Sequence, residues 1–145
     1  MSNRVAAEPA GVPRRLGAMV YDGLLLLAVW MLTSLALLPL NAGEAVSGPA
    51  YQALLLLEWG AFYIYFWRRR GQTLGMRAWR LQLVDSEGSA PSIGACFVRL
   101  AAAPLSFFTA GIGYVWFYVG ARQQTWHDRL SGTYVVVLPK AVSRA

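Results

Sequence analysis

The sequence predicts an all-α membrane protein, built as a small bundle of three to four hydrophobic helices with a minor cytoplasmic β pair. The 145-residue chain is 57% hydrophobic, more than ordinary soluble domains carry. Two apolar runs, residues 17–40 and 50–67, are close to the roughly 20 residues that cross a hydrocarbon core about 30 Å thick. The bases behind the net charge of +6 lie beside these runs, which indicates anionic phospholipid rather than nucleic acid as their partner.

The first apolar run is predicted to be a retained transmembrane helix. Its uninterrupted part, residues 24–40, is longer than the core of a usual signal peptide, and Asp22 interrupts its start. The polar residues 1–12 before it are expected to be disordered and cytoplasmic. The folded domain is then predicted to cover residues 13–138, followed by a C-terminal tail of residues 139–145.

The second apolar run is predicted to be a second transmembrane helix that ends at the cytoplasmic interface. It finishes in aromatic residues, which favour membrane interfaces, followed directly by Arg68, Arg69 and Arg70, which would bind anionic lipid head groups. The loop 41–49 holds no basic residue, whereas residues 68–92 hold five. The positive-inside rule therefore places the loop outside and the N-terminus, together with residues 68–92, in the cytoplasm.

The third apolar segment, Ile93–Gly120, permits two topologies. As one span it would place the basic residues after it outside, against the charge rule. As two short helices broken near Thr109–Gly113, it would form a short or re-entrant hairpin and return the C-terminus to the cytoplasm. We favour the hairpin.

Two cytoplasmic segments are predicted to pair as short β-strands. Arg80–Val84 alternates polar and apolar residues, and Thr133–Leu138 is rich in β-branched residues. We expect Leu81–Val84 to lie beside Tyr134–Val137, which would tie the middle of the chain to its end.

Charged residues in or beside the apolar segments are the candidate functional residues. An ionisable side chain at membrane depth is costly unless it pairs or lines an aqueous path. The candidates for a charged cluster or a transport site are Arg15, Asp22, Glu58, Arg99, Asp128 and Arg129.

Asp22 and Glu58 are the candidate ion- or proton-binding carboxylates. Asp22 is short and lies inside the first helix, so it needs a partner, for which Arg99, Arg129 and His127 are available. Its alternative role is a structural ion pair. Glu58 lies midway along the second helix, where a protonated glutamate hydrogen-bonded between helices is the alternative.

Arg99 and Asp128 have structural interpretations as well. Arg99 would anchor the third helix at the cytoplasmic interface. Asp128 is expected to close a cytoplasmic charge cluster by pairing with Arg15 or Arg129, with direct substrate contact as the alternative. His127 has no cysteine or histidine neighbour, so no metal site is expected.

Several of these residues lie in elements that resemble the RDD family of bacterial membrane proteins, named for one arginine and two aspartates. The elements are Arg15-x₆-Asp22, Gly71-Gln-Thr-Leu-Gly75, Arg99 and Gln124-Thr-Trp-His-Asp-Arg-Leu-Ser-Gly-Thr133. By position the name-giving residues would be Arg15, Asp22 and Asp128. The chain departs from the pattern at Met76-Arg77, where relatives often place a lysine directly after the glycine.

The resemblance implies a membrane domain over residues 13–138, with transport, including cation/proton exchange, suggested for some members. We expect a small-ion transporter or transporter-like subunit that uses buried carboxylates and arginines. A non-transporting accessory or scaffold subunit of a larger membrane complex is the alternative. A chain this short can hardly enclose an alternating-access site, so a homo-oligomer or a membrane-protein partner is expected. No enzymatic chemistry or cofactor is expected, because no catalytic motif is present.

Overall fold

Six α-helices and two β-strands form the described part of the chain, residues 8–109, 111–120 and 123–139 of a computed structural model. In chain order they are α1 (Val12–Leu37), α2 (Pro49–Arg70), α3 (Leu74–Ala78), β1 (Leu81–Asp85), α4 (Ile93–Phe108), α5 (Ile112–Val119), α6 (Trp126–Ser131) and β2 (Thr133–Val137). A 3₁₀ turn, Leu38–Asn41, extends α1. The predicted class, mostly helical with a minor β pair, is confirmed.

The two long helices, α1 and α2, coincide with the two apolar runs. α1 has 26 residues and carries Pro13 in its first turn, where the missing N–H leaves no hydrogen bond unmade. α2 has 22 residues, ends at Arg70 and is followed by Gly71, whose φ is 65°. Glycine adopts this left-handed conformation without steric strain, so the helix stops directly after its three arginines.

The third apolar segment is divided into α4 and α5, as the hairpin interpretation predicts. The hydroxyl of Ser92 accepts a hydrogen bond from the Ala95 N–H at 3.2 Å and begins α4. The helix ends at Thr109, and Gly111 follows with a φ of 77°. α5 packs against α4, and Asp128 of the following helix, α6, bonds to Arg99 in the first half of α4.

β1 and β2 pair antiparallel in the predicted region, with Leu81 opposite Val137. The segment before α1 also pairs with β2: the Ala10 N–H donates to the Val135 carbonyl at 2.9 Å, and the Val137 N–H donates to the Glu8 carbonyl at 2.9 Å. Both ends of the described chain therefore lie at the same end of the molecule.

These contacts correct the predicted disorder for residues 8–12. Residues 8–10 are paired with β2, Ala10 is fully buried, and α1 begins at Val12. Hydrogen bonds to β2 order this segment although its composition is polar. Residues 1–7, and residues 140–145 of the predicted tail, lie outside the described residues.

One helix of the described residues is long and apolar enough to cross a membrane, α1 with its 3₁₀ extension, Val12–Asn41. α2 has the length but not the composition, because polar residues such as Gln52 and Glu58 lower the mean hydropathy of the helix. One of the two expected spans thus has both the length and the composition to cross a membrane, and a shorter apolar helix lies at Ile93–Leu105. Only 6% of the apolar window in α1 is buried inside the molecule, so α1 is not the core helix of a soluble fold.

Polar side chains fill much of the interior, while apolar side chains cover much of the outside. The buried polar or charged residues are Arg15, Asp22, Thr73, Arg99, Gln124, Thr125, His127, Asp128 and Thr133. The apolar interior is small and centres on Leu81, Leu83 and Val135 of the β pair. This distribution concentrates the charged candidates at the end of the molecule that holds α6 and the strands.

Candidate functional site

Two buried arginines share one buried aspartate where α1, α4 and α6 meet. Arg15 Nη1 lies 2.5 Å from Asp128 Oδ2, and Arg99 Nη1 lies 2.5 Å from Asp128 Oδ1. Asp128 is fully buried and each arginine is 6% exposed. The predicted pairing of Asp128 with Arg15 is present. Arg99, for which the sequence suggests an interfacial anchor, joins the same group, and we call the three residues the Arg–Asp–Arg cluster.

The start of α6 orients Asp128. Thr125 precedes the helix and Asp128 is its third residue, the spacing of a capping box. The Thr125 backbone N–H donates to Asp128 Oδ2 at 3.2 Å. A carboxylate in the first helical turn is also favoured by the helix dipole. The helix that carries Asp128 therefore fixes the carboxylate, and the two arginines bind an acceptor already in position.

Each arginine is held by an aromatic ring as well as by Asp128. The guanidinium carbon of Arg15 lies 5.2 Å from the ring centroid of Phe117, and that of Arg99 lies 5.4 Å from the ring centroid of Trp67. Arg99 Nη1 also donates to Thr133 Oγ1 at 2.9 Å. These contacts join α1 to α5 and α4 to both α2 and β2 through charged side chains.

The cluster carries an excess of positive charge. Burial, reinforced by Arg99, lowers the pKa of His127 to about 3, so its imidazole is neutral near pH 7. Burial alone would raise the pKa of Asp128, but the guanidiniums of Arg99 and Arg15 hold that pKa below its usual range. Two guanidinium charges therefore face one carboxylate charge, which leaves one positive charge in excess.

Asp22 is buried apart from this cluster and is held by uncharged donors. The Thr73 hydroxyl donates to Asp22 Oδ2 at 2.5 Å, and the Gly75 backbone N–H donates to Asp22 Oδ1 at 2.8 Å. The prediction that a basic side chain pairs with Asp22 is wrong, since no ion pair among the described residues includes it. The physical reason is that the arginines find their anion at Asp128.

Gly75 allows α3 to lie against Asp22. A Cβ at this position would collide with the Ala18 carbonyl oxygen and would lie 2.9 Å from Asp22 Cγ. The hydroxyl of Thr73 also accepts from the Met76 N–H at 3.1 Å, so one threonine both caps α3 and binds the carboxylate. The Gly-Gln-Thr-Leu-Gly element thus supplies the two hydrogen-bond donors that bind the Asp22 carboxylate.

A cavity of about 290 Å³ lies between Asp22 and the Arg–Asp–Arg cluster. Most of its wall is apolar or aromatic. Its polar wall residues are Arg15, Asp22, Tyr63, Arg99, Tyr114 and His127. Asp128 lies behind the two arginines and does not line the cavity, so the wall presents two guanidiniums and one carboxylate, Arg15 and Asp22 from α1 and Arg99 from α4.

The remaining candidates lie elsewhere. Glu58 Oε1 accepts from the Thr33 hydroxyl at 2.7 Å, which links α2 to α1, while its buried Oε2 has no hydrogen-bond partner among the described residues. Glu58 does not line the charged cavity. Arg129 is exposed on α6, and Arg68–Arg70 are exposed at the end of α2.

Sequence reasoning missed the threonines of the site. Thr73, Thr125 and Thr133 are fully buried, and each bonds to a charged residue or orients one. The spacing of Thr125 and Asp128 could have revealed one of them, because it fits a capping box. In the described ranges no group of three histidine, cysteine, aspartate or glutamate side chains is placed to hold a metal ion.

Comparison with known proteins identifies relatives over nearly the whole chain. The model of the RDD family matches residues 9–132, which include the cluster and Asp22 with its donors. An uncharacterized protein of Bacillus subtilis (strain 168), YckC, is 30% identical over an alignment that covers 88% of this chain and 84% of the relative. No solved structure matches the chain significantly.

Proposed function

The chain belongs to the RDD family, which is membrane-associated, and from this premise we propose that it is a multi-pass protein of the bacterial inner membrane that moves a small ion together with protons. The ion and the proton would meet in the cavity between Asp22 and the Arg–Asp–Arg cluster. Both termini would face the cytoplasm.

The membrane placement is supported by the exposed apolar faces of α1, α4 and α5. Met31 and Val119, for example, are 71% and 73% exposed. In water such a surface would aggregate, whereas hydrocarbon solvates it.

The Leu83 N–H donates to the Gly71 carbonyl at 2.7 Å, so the three arginines before Gly71 lie at the same end as the β pair. The positive-inside rule favours the cytoplasm for that end.

The observation that carries the transport proposal is the state of Asp22. Its carboxylate is 2% exposed, lines the cavity and is bonded to a hydroxyl and a backbone N–H rather than to a guanidinium. A buried carboxylate with neutral partners can have its charge compensated by a proton or by an ion that enters the cavity. Asp128, by contrast, is already neutralised by two arginines.

Reconstitution of the purified full chain into liposomes tests this function. An imposed pH gradient should dissipate faster when a transported ion is present, and Na⁺, K⁺, Li⁺, Ca²⁺, chloride and small carboxylates would each be added in turn. Asp22→Asn should abolish the ion-dependent flux. Glu44→Gln, in the exposed loop before α2, is the matched control and should leave the flux unchanged. No ion-dependent flux with any of these ions would contradict the proposal.

An accessory role is the second candidate, and the exposed surface of α1 favours it. Because only 6% of its apolar window is buried, α1 has surface available for a second copy or another membrane protein. Homo-oligomerisation would also help a small chain enclose a transport site. Absence of flux, together with stable co-purification of one membrane-protein partner, would establish this role.

A further inference from the structure

We propose that the ion is a small organic monoanion, a carboxylate on an apolar body, which binds the unoccupied edges of Arg15 and Arg99 while Asp22 takes up a proton. This inference rests on the proposed function and names the substrate class of the same cavity. Three features carry it, namely the unused donors of the arginines, the balance of buried charge, and the aromatic wall.

The guanidiniums keep donors for a further anion. Among the described residues, Arg99 donates to both Asp128 and Thr133 through Nη1, which leaves its Nε and Nη2 available. Arg15 donates through Nε and Nη1, which leaves its Nη2 available. Both side chains line the cavity. A planar guanidinium edge matches the two oxygens of a carboxylate, so a bound carboxylate would bridge the two arginines.

The buried charges balance only when Asp22 is ionised. Arg15 and Arg99 contribute two positive charges, and Asp128 and Asp22 contribute two negative ones. The other polar wall residues are Tyr63 and Tyr114, which are neutral phenols, and His127, whose pKa of about 3 keeps it neutral. When a proton neutralises Asp22, one positive charge is uncompensated in a poorly solvated cavity. A monoanion restores the balance, whereas a metal cation would add to the excess.

The remaining wall residues are apolar or aromatic, so they favour a ligand whose carboxylate is attached to an apolar group. Trp59, Trp67, Leu100, Pro104 and Phe108 from α2 and α4 line it. The volume of about 290 Å³ is at the lower end of small-molecule sites, which hold roughly 300–1,000 Å³. A bare inorganic ion would leave this aromatic surface unused, while a short alkyl or aryl carboxylate would cover it.

Calorimetric titration of hexanoate into the full chain in phosphatidylcholine nanodiscs tests the inference. Between about pH 6 and pH 8 hexanoate is ionised. Binding should be accompanied by uptake of about one proton, measured in buffers of different ionisation enthalpy, and affinity should fall by up to about tenfold per pH unit as pH rises. Hexylammonium and hexanol, which share the apolar body, should bind at least about tenfold more weakly.

Two variants separate the roles of the residues. Asp22→Asn is permanently neutral, so it should still bind hexanoate but lose proton uptake and pH dependence. Arg99→Gln should weaken binding by about tenfold or more, and Glu44→Gln should match the parent. If Arg99→Gln does not fold, Asp22→Asn alone tests the inference. If Asp22 had only a structural role, the Asp22→Asn variant would still take up a proton on binding hexanoate. Equal binding of hexylammonium, or hexanoate binding to the parent without proton uptake, would overturn the inference.

Nanodiscs with added anionic lipid distinguish a lipid head group from a free carboxylate as the ligand, and the liposome assay distinguishes binding from transport. Adding phosphatidylglycerol should change hexanoate affinity by less than about twofold if electrostatic screening is the only effect, whereas strong competition would assign the site to the lipid and overturn the inference. Proton flux driven by Na⁺ or chloride without hexanoate binding would overturn the inference and leave the proposed function standing. Hexanoate binding with proton uptake but without flux would do the reverse.

Discussion

The two ends of the molecule follow opposite packing rules. At the charged end, formed by the start of α1, α6 and the β pair, Asp128 and its two arginines are buried and bonded. At the apolar end, formed by the second half of α1 and the first half of α2, Leu32 and Leu35 are 68% and 64% exposed. Stability at the charged end therefore comes from specific bonds, whereas the apolar end depends on the solvent around it.

This difference shows how one small chain can have one end suited to water and the other suited to hydrocarbon. The charged end has a hydrophobic centre in the β pair and polar partners for its charges, as a water-soluble domain has. The apolar end has few such partners, and its main polar links are the Glu58–Thr33 and Ser34–Tyr51 hydrogen bonds. Substitutions should consequently act through ion pairs and close contacts at the first end, and through the membrane at the second.

Removal of the carboxylate that the two arginines share, on Asp128, should give the largest loss of stability at the charged end. Asp128→Asn leaves two buried guanidiniums without their counter-ion, so we expect a loss of about 3–5 kcal/mol, enough to unfold a small bundle. Thermal unfolding in detergent measures it, with the exposed neighbour Arg129→Gln as control. Asp22→Asn, which breaks no direct ion pair but leaves one buried positive charge uncompensated, should cost less, about 1–3 kcal/mol. A larger loss for Asp22→Asn than for Asp128→Asn would reverse the assignment of roles.

Acid should weaken the charged end through His127. Its pKa is about 3 in the folded protein and 6.5 in a model peptide, so below pH 6.5 the unfolded chain binds a proton that the folded chain does not. Stability should therefore fall as pH decreases from 6.5 towards 3, at up to about 1.4 kcal/mol per pH unit. Asp128 adds to the loss only at lower pH, below its ordinary pKa of 3.8.

Melting temperatures at about pH 7 and pH 5 measure this effect in the parent and in His127→Gln. The variant should lose much of the pH dependence, because glutamine does not titrate. An unchanged pH dependence in the variant would assign the acid sensitivity to another group.

The contact between α1 and α3 is the next target, and the chain offers a matched pair of glycines. Gly75→Ala would place a methyl group against the Ala18 carbonyl and Asp22, and we expect a loss of about 1–3 kcal/mol. Gly94→Ala, in the first turn of α4, meets nothing within 4 Å and should be neutral or slightly stabilising. Equal melting temperatures for the two variants would mean that α3 does not pack on Asp22 as described.

The smallest effect on stability, and the most direct test of the two-solvent comparison, is a pair of exposed cysteines. In a Cys96→Ala background, Ala45→Cys lies in the loop of the apolar end and Pro139→Cys follows β2. A membrane-impermeant maleimide should label position 45 in intact cells and position 139 only after lysis. Labelling of both positions from outside would place the two ends on one side of the membrane.

The helices, the break in the third apolar segment and the β pair could be predicted from sequence because each has a local cause. Apolar runs, the glycines near Gly111 and the β-branched Thr133–Leu138 act over a few residues. Length alone could not show whether α2 is apolar enough to cross a membrane, because Gln52 and Glu58 within it lower its mean hydropathy.

The site was predicted as a set of residues but not as a set of pairs. The sequence identifies Arg15, Asp22, Arg99 and Asp128 as costly charges, since each lies in or beside an apolar segment. Which anion meets which base depends on tertiary contacts that no local pattern encodes. The partners of Asp22 are a hydroxyl and a backbone N–H. Because every residue except proline has a backbone N–H, the sequence does not indicate which one will donate to a side chain.

The separation of Arg15 from Asp128 sets an order of events during synthesis. The two residues are 113 positions apart, so the ribosome completes α1 long before it reaches α6. At about 5–20 residues per second, Arg15 waits on the order of ten seconds for its anion. A prematurely terminated chain that lacks α6 therefore keeps Arg15 and Arg99 without the carboxylate that pairs with both of them.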